Sequence, residues 1–237
     1  MGFYEAFAKE HDLMVPWSER KVGKKAFFKR LLGSRKRVLD CACGTGFHTA
    51  MLSEIGFDVV GSDLSKEMLR EAKKNLKKRK LKVPLHRLDF RHLDKRFGKG
   101  EFDAVLCMGN SLPHLLSEKE ILKMLKSAWN VLNKDGLLVL SIRNYDKLEG
   151  EGTRFMLRGK AMPNLYLYVL DHFDKTIDFT VLRINSKTGK MKEFKTTYLK
   201  LKQDALKSLL KKAGFKQIKF FDKRADFVKI TAKKVQK

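Results

Sequence analysis

The chain of 237 residues has few cysteines and no long apolar run. Three cysteines cannot form a disulfide framework, and Cys41 and Cys43 lack the second cysteine pair or nearby histidines of a metal site. No apolar run approaches the roughly 20 residues of a membrane span, and the first residues do not resemble a signal peptide. We therefore expect a cytoplasmic protein that holds no metal and does not associate with a membrane.

Acidic residues are also scarce, since 27 Asp and Glu stand against 52 Lys and Arg, for a formal net charge of +25. Such a field attracts polyanions, so a nucleic-acid partner has to be considered. The largest basic run, Lys73–Lys82, contains no aromatic residues and so offers no stacking platform for bases. A thermophilic origin would account for the many Lys and for only three Gln. It explains the excess of positive charge only in part, because such an origin usually raises Glu as well and here Glu does not rise with Lys.

One stretch, Val38–Asp63, organises the chain. It indicates a short buried strand ending at Asp40, a glycine turn, a helix with an apolar stripe, and a second strand ending in Asp63. Gly44 and Gly46 remove the Cβ where the backbone must bend and where a ligand can approach the main chain. Together these features predict half of a mononucleotide-binding βαβ unit.

The glycine spacing narrows the choice of nucleotide. The third glycine of a dinucleotide fingerprint and the Lys-Ser/Thr pair of a Walker loop are both missing. What remains is D-x-A-x-G-x-G with an acid nineteen residues after Gly44, which suits a ligand with ribose hydroxyls and no pyrophosphate. This pattern resembles the class I S-adenosylmethionine-dependent methyltransferases, with Ala42 where that family has its first glycine.

Strands and helices alternate up to residue 142, which predicts an α/β fold with a Rossmann-like, doubly wound, seven-stranded sheet. The last two strands, Phe215–Phe221 and Asp226–Thr231, are too close for a parallel crossover, so the last strand should be antiparallel. After strand five the alternation of strands and helices stops, and residues 145–200 contain three strand-like runs instead. We expect a small antiparallel β lid there. We expect a single methyltransferase domain over residues 1–237, with N-terminal helices in residues 1–33.

The second half carries a more specific resemblance. The segments MGNSLPHL (Met108–Leu115) and SIRNYD (Ser141–Asp146), the lid, LLKKAGF (Leu209–Phe215) and the N-terminal FYEAFAKEHD are similar to the glycine and sarcosine N-methyltransferases. This resemblance implies that Asn110 and Arg143 bind the carboxylate of an amino-acid acceptor, and that Arg20 contacts the carboxylate of the cofactor. An Arg fork pairs bidentately with a carboxylate, which makes the implied role chemically sensible.

Two sets of site residues follow from the motifs and the resemblance. The predicted acceptor set is Asn110, Arg143 and His114. For S-adenosylmethionine, and S-adenosylhomocysteine as its product, the predicted set is Arg20, Asp40, Ala42, Gly44, Gly46, Asp63, Leu64, Met68, Asp89, Phe90 and Met108. In this set Asp63 would accept hydrogen bonds from the ribose and Asp89 from the adenine amine.

Structural roles remain open for the acceptor set. Arg143 could pair with Asp146, Asn110 could cap a loop, and His114 could be an ordinary core histidine. Three functions compete: in-line methylation of a small amine such as glycine or sarcosine, methylation of tRNA or rRNA by way of the basic surface, and non-catalytic binding of S-adenosylmethionine. The sequence identifies neither a proton acceptor for the amine nor the oligomeric state.

Overall fold

The computed structural model describes residues 2–20, 24–148, 154–222 and 225–235. Within these ranges the N-terminal part forms three helices, α1 (Phe3–Met14), α2 (Trp17–Arg20) and α3 (Lys24–Leu32). Four further α-helices follow in the described residues: α4 (Phe47–Glu54), α5 (Lys66–Lys78), α6 (Glu118–Val131) and α7 (Gln203–Lys212).

The strands form two sheets. The first sheet contains β1 (Arg37–Asp40), β2 (Asp58–Asp63), β3 (Leu85–Arg87), β4 (Phe102–Cys107), β5 (Leu132–Arg143), and, after the second sheet, β10 (Lys216–Phe221) and β11 (Phe227–Lys233). The second sheet contains β6 (Phe155–Ala161), β7 (Asn164–His172), β8 (Thr176–Asn185) and β9 (Met191–Leu199).

The first sheet has the order β10-β11-β5-β4-β1-β2-β3. Strands β5, β4, β1, β2 and β3 run parallel, whereas β11 is antiparallel to both β5 and β10. This arrangement confirms the predicted seven-stranded sheet and its antiparallel last strand. Since the parallel strands share one direction, their carboxyl ends meet at one edge, where open α/β sheets bind ligands.

Local sequence explains why the helices begin where they do. Ser65 and Ser117 lie at the N-caps of α5 and α6, and each side-chain oxygen accepts a hydrogen bond from a backbone N–H in the first turn. The left-handed Gly46, with a φ of 88°, precedes α4. Apolar stripes then bury one face of α5, α6 and α7 against the sheet.

The second sheet is antiparallel throughout, in the order β6-β7-β8-β9, and confirms the antiparallel insertion after strand five. Its first strand, β6, was not predicted. A shift in the β6–β7 register between Leu157 and Gly159 bends β6, and a Cβ on Gly159 would come within 2.9 Å of the carbonyl oxygen of Met14 in α1. Helix α1 therefore packs closely against this sheet.

Candidate active site

The glycine loop, residues 41–46, joins β1 to α4 at the carboxyl edge of the first sheet. Gly44 and Gly46 adopt φ values of 53° and 88°, which L side chains rarely reach. A Cβ on Gly46 would meet the Cβ of Ala72 at 3.2 Å, whereas a Cβ on Gly44 would meet nothing within 4 Å. The loop thus packs on α5 on one side and leaves open space beside Gly44.

The carboxylate of Asp63, at the end of β2, reaches back to this loop. One oxygen accepts a hydrogen bond from the backbone N–H of Gly44 at 2.8 Å, and the other from the backbone N–H of Ser65 at 2.9 Å. Burial raises the pKa of Asp63, while these two hydrogen bonds lower it. Each carboxylate oxygen can accept more than one hydrogen bond, so Asp63 retains capacity for a donor from a ligand.

Asp40, at the end of β1, is almost completely buried. Its Oδ2 accepts a hydrogen bond from the hydroxyl of Thr49 at 2.7 Å, and its Oδ1 is buried without a partner among the described residues. Burial is the main reason why the pKa of Asp40 rises to about 7. An orphaned buried oxygen of this kind is costly unless a ligand supplies a donor.

The remaining residues of the predicted cofactor set differ in how far they are exposed to solvent. Met68 and Met108 are buried, Ala42 and Phe90 are partly buried, and Leu64 is 60% exposed. The carboxylate of Asp89 is held by its neighbour Arg91, whose Nε lies 3.0 Å from both carboxylate oxygens. An adenine amine would therefore share Asp89 with Arg91, a partner that sequence reasoning did not foresee.

The imidazole of His114 forms hydrogen bonds to both helix α1 and the second sheet. Its Nε2 lies 2.8 Å from the hydroxyl of Tyr4 in α1, and its Nδ1 lies 3.3 Å from the hydroxyl of Thr196 in β9. Burial lowers the pKa of His114 to about 4, so the imidazole is neutral at neutral pH. A neutral imidazole donates from one nitrogen and accepts at the other, which matches two hydroxyl partners.

Four tyrosines, Tyr4, Tyr145, Tyr168 and Tyr198, form a group that we call the tyrosine cluster. Burial raises the pKa of each phenol, and Tyr4 interacts with the other three. The negative charge of Asp63, whose carboxylate accepts a hydrogen bond from the glycine loop, also raises the pKa of Tyr4.

Three arginines act electrostatically on Tyr168, one member of this cluster. Burial raises the pKa of Tyr168, and the positive charges of Arg158, Arg143 and Arg20 oppose this rise. The charges of both Arg20 and Arg143, the two arginines predicted to bind different carboxylates, thus act on the same phenol. This electropositive surrounding suits anionic ligand groups.

Asn110 follows β4 in a left-handed conformation with a φ of 68° and is 5% exposed. Its Oδ1 accepts hydrogen bonds from the backbone N–H of Arg143 at 2.8 Å and from the hydroxyl of Tyr145 at 3.2 Å. Its own backbone N–H donates to the carbonyl of Ser141 at 2.9 Å. Asn110 therefore joins the ends of β4 and β5 and so supports the position of Arg143.

The guanidinium of Arg143 stacks over the ring of Phe227, 5.7 Å from its centroid. Among the described residues no ion pair joins Arg143 to Asp146, whose carboxylate instead accepts a hydrogen bond from the backbone N–H of Gln203 at 3.2 Å. The structural pair that the sequence left open is absent, and the Arg143 fork keeps its capacity for a carboxylate.

Sequence reasoning missed two carboxylates of α1. Glu5 accepts hydrogen bonds from the backbone N–H groups of Lys66 and Glu67, at the start of α5. Asp12 binds the hydroxyl of Thr45 in the glycine loop at 2.7 Å. Such partners lie far apart in sequence, so no local pattern signals them. Both contacts attach α1 to the cofactor side of the site.

The described residues contain no cluster of three or more histidines, cysteines and carboxylates that could hold a metal ion. In the same part of the chain no helix combines the length and apolar character needed to cross a membrane.

Comparison with known proteins agrees with this geometry. A family model described as a methyltransferase domain matches residues 38–136. A glycine/sarcosine N-methyltransferase of Parasynechococcus marenigrum is 35% identical over 230 residues, which cover 95% of this chain and 80% of that protein. A second glycine/sarcosine N-methyltransferase, from Aphanothece halophytica, is 33% identical over 91% of this chain and 80% of its own length.

Among solved structures, an S-adenosylmethionine-dependent methyltransferase of Clostridium acetobutylicum has the same fold, with a TM-score of 0.78 at 21% identity, over 98% of this chain and 99% of that one. The methyltransferase domain model and the two relatives, together with the glycine loop, thus define an S-adenosylmethionine-dependent methyltransferase. Within that class, the chain belongs to the family of the glycine/sarcosine N-methyltransferases.

The residues at the sheet edge fit the cofactor of this class. Open space lies beside Gly44, the Asp63 carboxylate can accept from hydroxyls, and the orphaned oxygen of Asp40 can accept from an ammonium group. A sugar and an amino-acid group on one ligand would supply both kinds of donor.

Proposed function

We propose that the protein transfers a methyl group from S-adenosylmethionine to the amine of a small acceptor that carries a carboxylate, such as glycine or sarcosine. The main support is the Arg143 guanidinium, which stacks on Phe227 and has no carboxylate partner among the described residues. Its backbone N–H shares the Oδ1 of Asn110 with the hydroxyl of Tyr145, a member of the tyrosine cluster. Family membership points to the same kind of acceptor, because the two relatives named above are glycine/sarcosine N-methyltransferases.

In this proposal the chain mainly positions its ligands. The bound cofactor supplies a methyl group on a positively charged sulfur, which is already a good leaving group. Arg143 pairs with the acceptor carboxylate, and Asn110 holds the backbone of Arg143 in place. The buried tyrosine cluster keeps water out and aligns the amine with the methyl carbon. The neutral His114 orients the hydroxyl of Tyr4.

On the cofactor side, we assign Asp63 to the ribose hydroxyls and Asp40 to the ammonium group. Arg20, which is partly buried and donates a hydrogen bond to Asp12 of α1, would hold the cofactor carboxylate. Two anionic groups would then have two separate arginines, Arg20 for the cofactor and Arg143 for the acceptor. Separate anchors allow each ligand to be oriented independently.

The test is methyl transfer from labelled S-adenosylmethionine to glycine, sarcosine and dimethylglycine, in parallel with bulk tRNA. The proposal predicts transfer to at least one of the amino acids and none to tRNA. Transfer to tRNA alone would reject it and make the basic surface the substrate platform. Cofactor binding without transfer to any acceptor in the panel would also contradict the proposal and favour a non-catalytic binding protein.

A further inference from the structure

The carboxylate of Asp12, near the end of α1, joins three parts of the molecule. Its Oδ1 accepts hydrogen bonds from the hydroxyl of Thr45 at 2.7 Å and from the guanidinium of Arg20 at 3.3 Å. Its Oδ2 accepts from the side-chain amide of Asn75 in α5 at 2.9 Å, and the neighbouring His11 lies 3.1 Å from Oδ1. One carboxylate thus connects the glycine loop, α5 and the predicted cofactor arginine.

Thr45 is the loop residue between the two left-handed glycines and is 2% exposed. Its backbone carbonyl accepts a hydrogen bond at 3.0 Å from the side-chain amide of Asn75, which also donates to Asp12. Glycines give a backbone the largest conformational freedom, so a loop built on them needs restraints from outside to hold one conformation. Asp12 and Asn75 supply such restraints through the only residue that separates Gly44 from Gly46.

The same carboxylate acts on Arg20. Burial lowers the pKa of Arg20, and the negative charge of Asp12 opposes this shift. Burial would raise the pKa of Asp12, but hydrogen bonds from His11 and Thr45 and the charges of His11 and Arg20 hold it below its usual value. Asp12 is therefore ionised at neutral pH and stabilises the positive charge of Arg20.

We propose that Asp12 is a positioning residue for cofactor binding, which holds the glycine loop through Thr45 and the guanidinium of Arg20 in their binding arrangement. The inference rests on the proposed role of this loop and of Arg20 toward S-adenosylmethionine. Asp12 acts through Thr45 and Arg20 rather than by touching the ligand. Loss of the Asp12 carboxylate is expected to weaken the binding of the cofactor and to leave the binding of the acceptor unchanged.

The test is calorimetric titration of S-adenosylmethionine and S-adenosylhomocysteine into the wild type and Asp12→Asn. Because hydrogen bonds to charged groups are strong, the Kd of both ligands should rise about tenfold to 100-fold in the variant. The acceptor KM, measured at saturating S-adenosylmethionine, should stay within about twofold of the wild type, since Arg143 is not among the partners of Asp12 in the described part of the chain. Thr45→Val removes the same hydrogen bond, and its effect should be less than additive with Asp12→Asn.

The matched control is Glu10→Gln. Glu10 is on the same helix, two residues away, and its carboxylate binds the hydroxyl of Tyr166 and the guanidinium of Arg183 in the second sheet, each at 2.7 Å. This variant loosens α1 on the side of the second sheet, so the Kd of S-adenosylmethionine should change by less than about twofold.

Three results would overturn the inference. One is a wild-type Kd in both Asp12→Asn and Thr45→Val, the second of which also serves if Asp12→Asn fails to fold. Another is an equal loss of affinity in Glu10→Gln, since that would show general destabilisation of α1. The third is a wild type that binds no S-adenosylmethionine, which would remove the cofactor site itself. Because all readouts except the acceptor KM are binding constants, failure of the proposed amino-acid substrate would appear separately, as absent turnover with normal binding.

Discussion

The Oδ1 of Asn110 accepts a hydrogen bond from the backbone N–H of Arg143 at 2.8 Å, across the ends of β4 and β5. Asn110 can adopt the required left-handed φ of 68° because Asn tolerates this region better than most L residues. The side chain that the resemblance assigns to the acceptor is thus also part of the support for Arg143. A structural role for Asn110 and a role at the acceptor are compatible, since its side-chain nitrogen donates one hydrogen to the hydroxyl of Tyr145 at 3.0 Å and carries a second hydrogen.

Substitutions at Asn110 separate backbone strain from the lost hydrogen bonds. Asn110→Ala should lower the free energy of unfolding by about 2–4 kcal/mol, because it loses buried hydrogen bonds and keeps a strained φ. Asn110→Gly loses the same hydrogen bonds without the strain and should cost about 1–2 kcal/mol less than the Ala variant. Urea unfolding of both variants measures the difference. Equal free energies of unfolding for the Ala and Gly variants would contradict backbone strain at position 110.

Asp63→Asn tests whether the carboxylate that contacts the glycine loop contributes to cofactor binding. One oxygen remains to accept a hydrogen bond, but the negative charge and the second acceptor oxygen are lost, so either Gly44 or Ser65 loses its partner. We expect the Kd of S-adenosylmethionine to rise by about tenfold to 100-fold, because hydrogen bonds to charged groups are strong. Calorimetric titration measures this change. A suitable control is Asp178→Asn, in β8, which should bind S-adenosylmethionine like the wild type.

The pH dependence of stability tests the environment of Asp40. Its folded pKa of about 7 lies above the ordinary value of 3.8, so between about pH 4 and 7 the folded state holds a proton that the unfolded state has released. Stability should therefore fall as pH rises through this window, by at most about 1.4 kcal/mol per pH unit from this group. Asp40→Asn should remove this contribution.

The measurement is urea unfolding of the wild type and Asp40→Asn at a series of pH values. The stability of the variant relative to the wild type should grow from pH 4 to pH 7 and then stay constant. Parallel curves over the whole range would contradict the raised pKa of Asp40.

The chain order of strands and helices in the first sheet was readable from the sequence because β1, β2, β4 and β5 each contain a short apolar run that follows turn or polar residues. Strand β6 was not, since Phe155, Met156 and Leu157 are all exposed at the edge of the second sheet and Gly159 bends the strand. Such a strand shows neither the alternation nor the full burial that marks strands in a sequence. It is held by pairing with β7 and by contact with α1, which are tertiary effects.

The candidate site was predictable in part for a related reason. Asp40, Gly44 and Asp63 lie at strand ends or in a glycine turn, where spacing carries meaning. The contact between Asp12 and Thr45 joins residues 33 positions apart, and no spacing rule reports it. The Arg91 partner of Asp89 was equally hidden, because an arginine two residues after a carboxylate is usually a solvated side chain.

The central claim is that Arg143 anchors the carboxylate of an amino-acid acceptor. The most direct measurement is methyl transfer to glycine and sarcosine by the wild type, Arg143→Lys and Arg143→Ala, each with its Kd for S-adenosylmethionine. We expect kcat/KM to fall by at least about 100-fold in Arg143→Ala and less in Arg143→Lys, which keeps the charge but not the fork, with cofactor affinity nearly unchanged in both. Wild-type transfer to either amino acid by Arg143→Ala would contradict the claim.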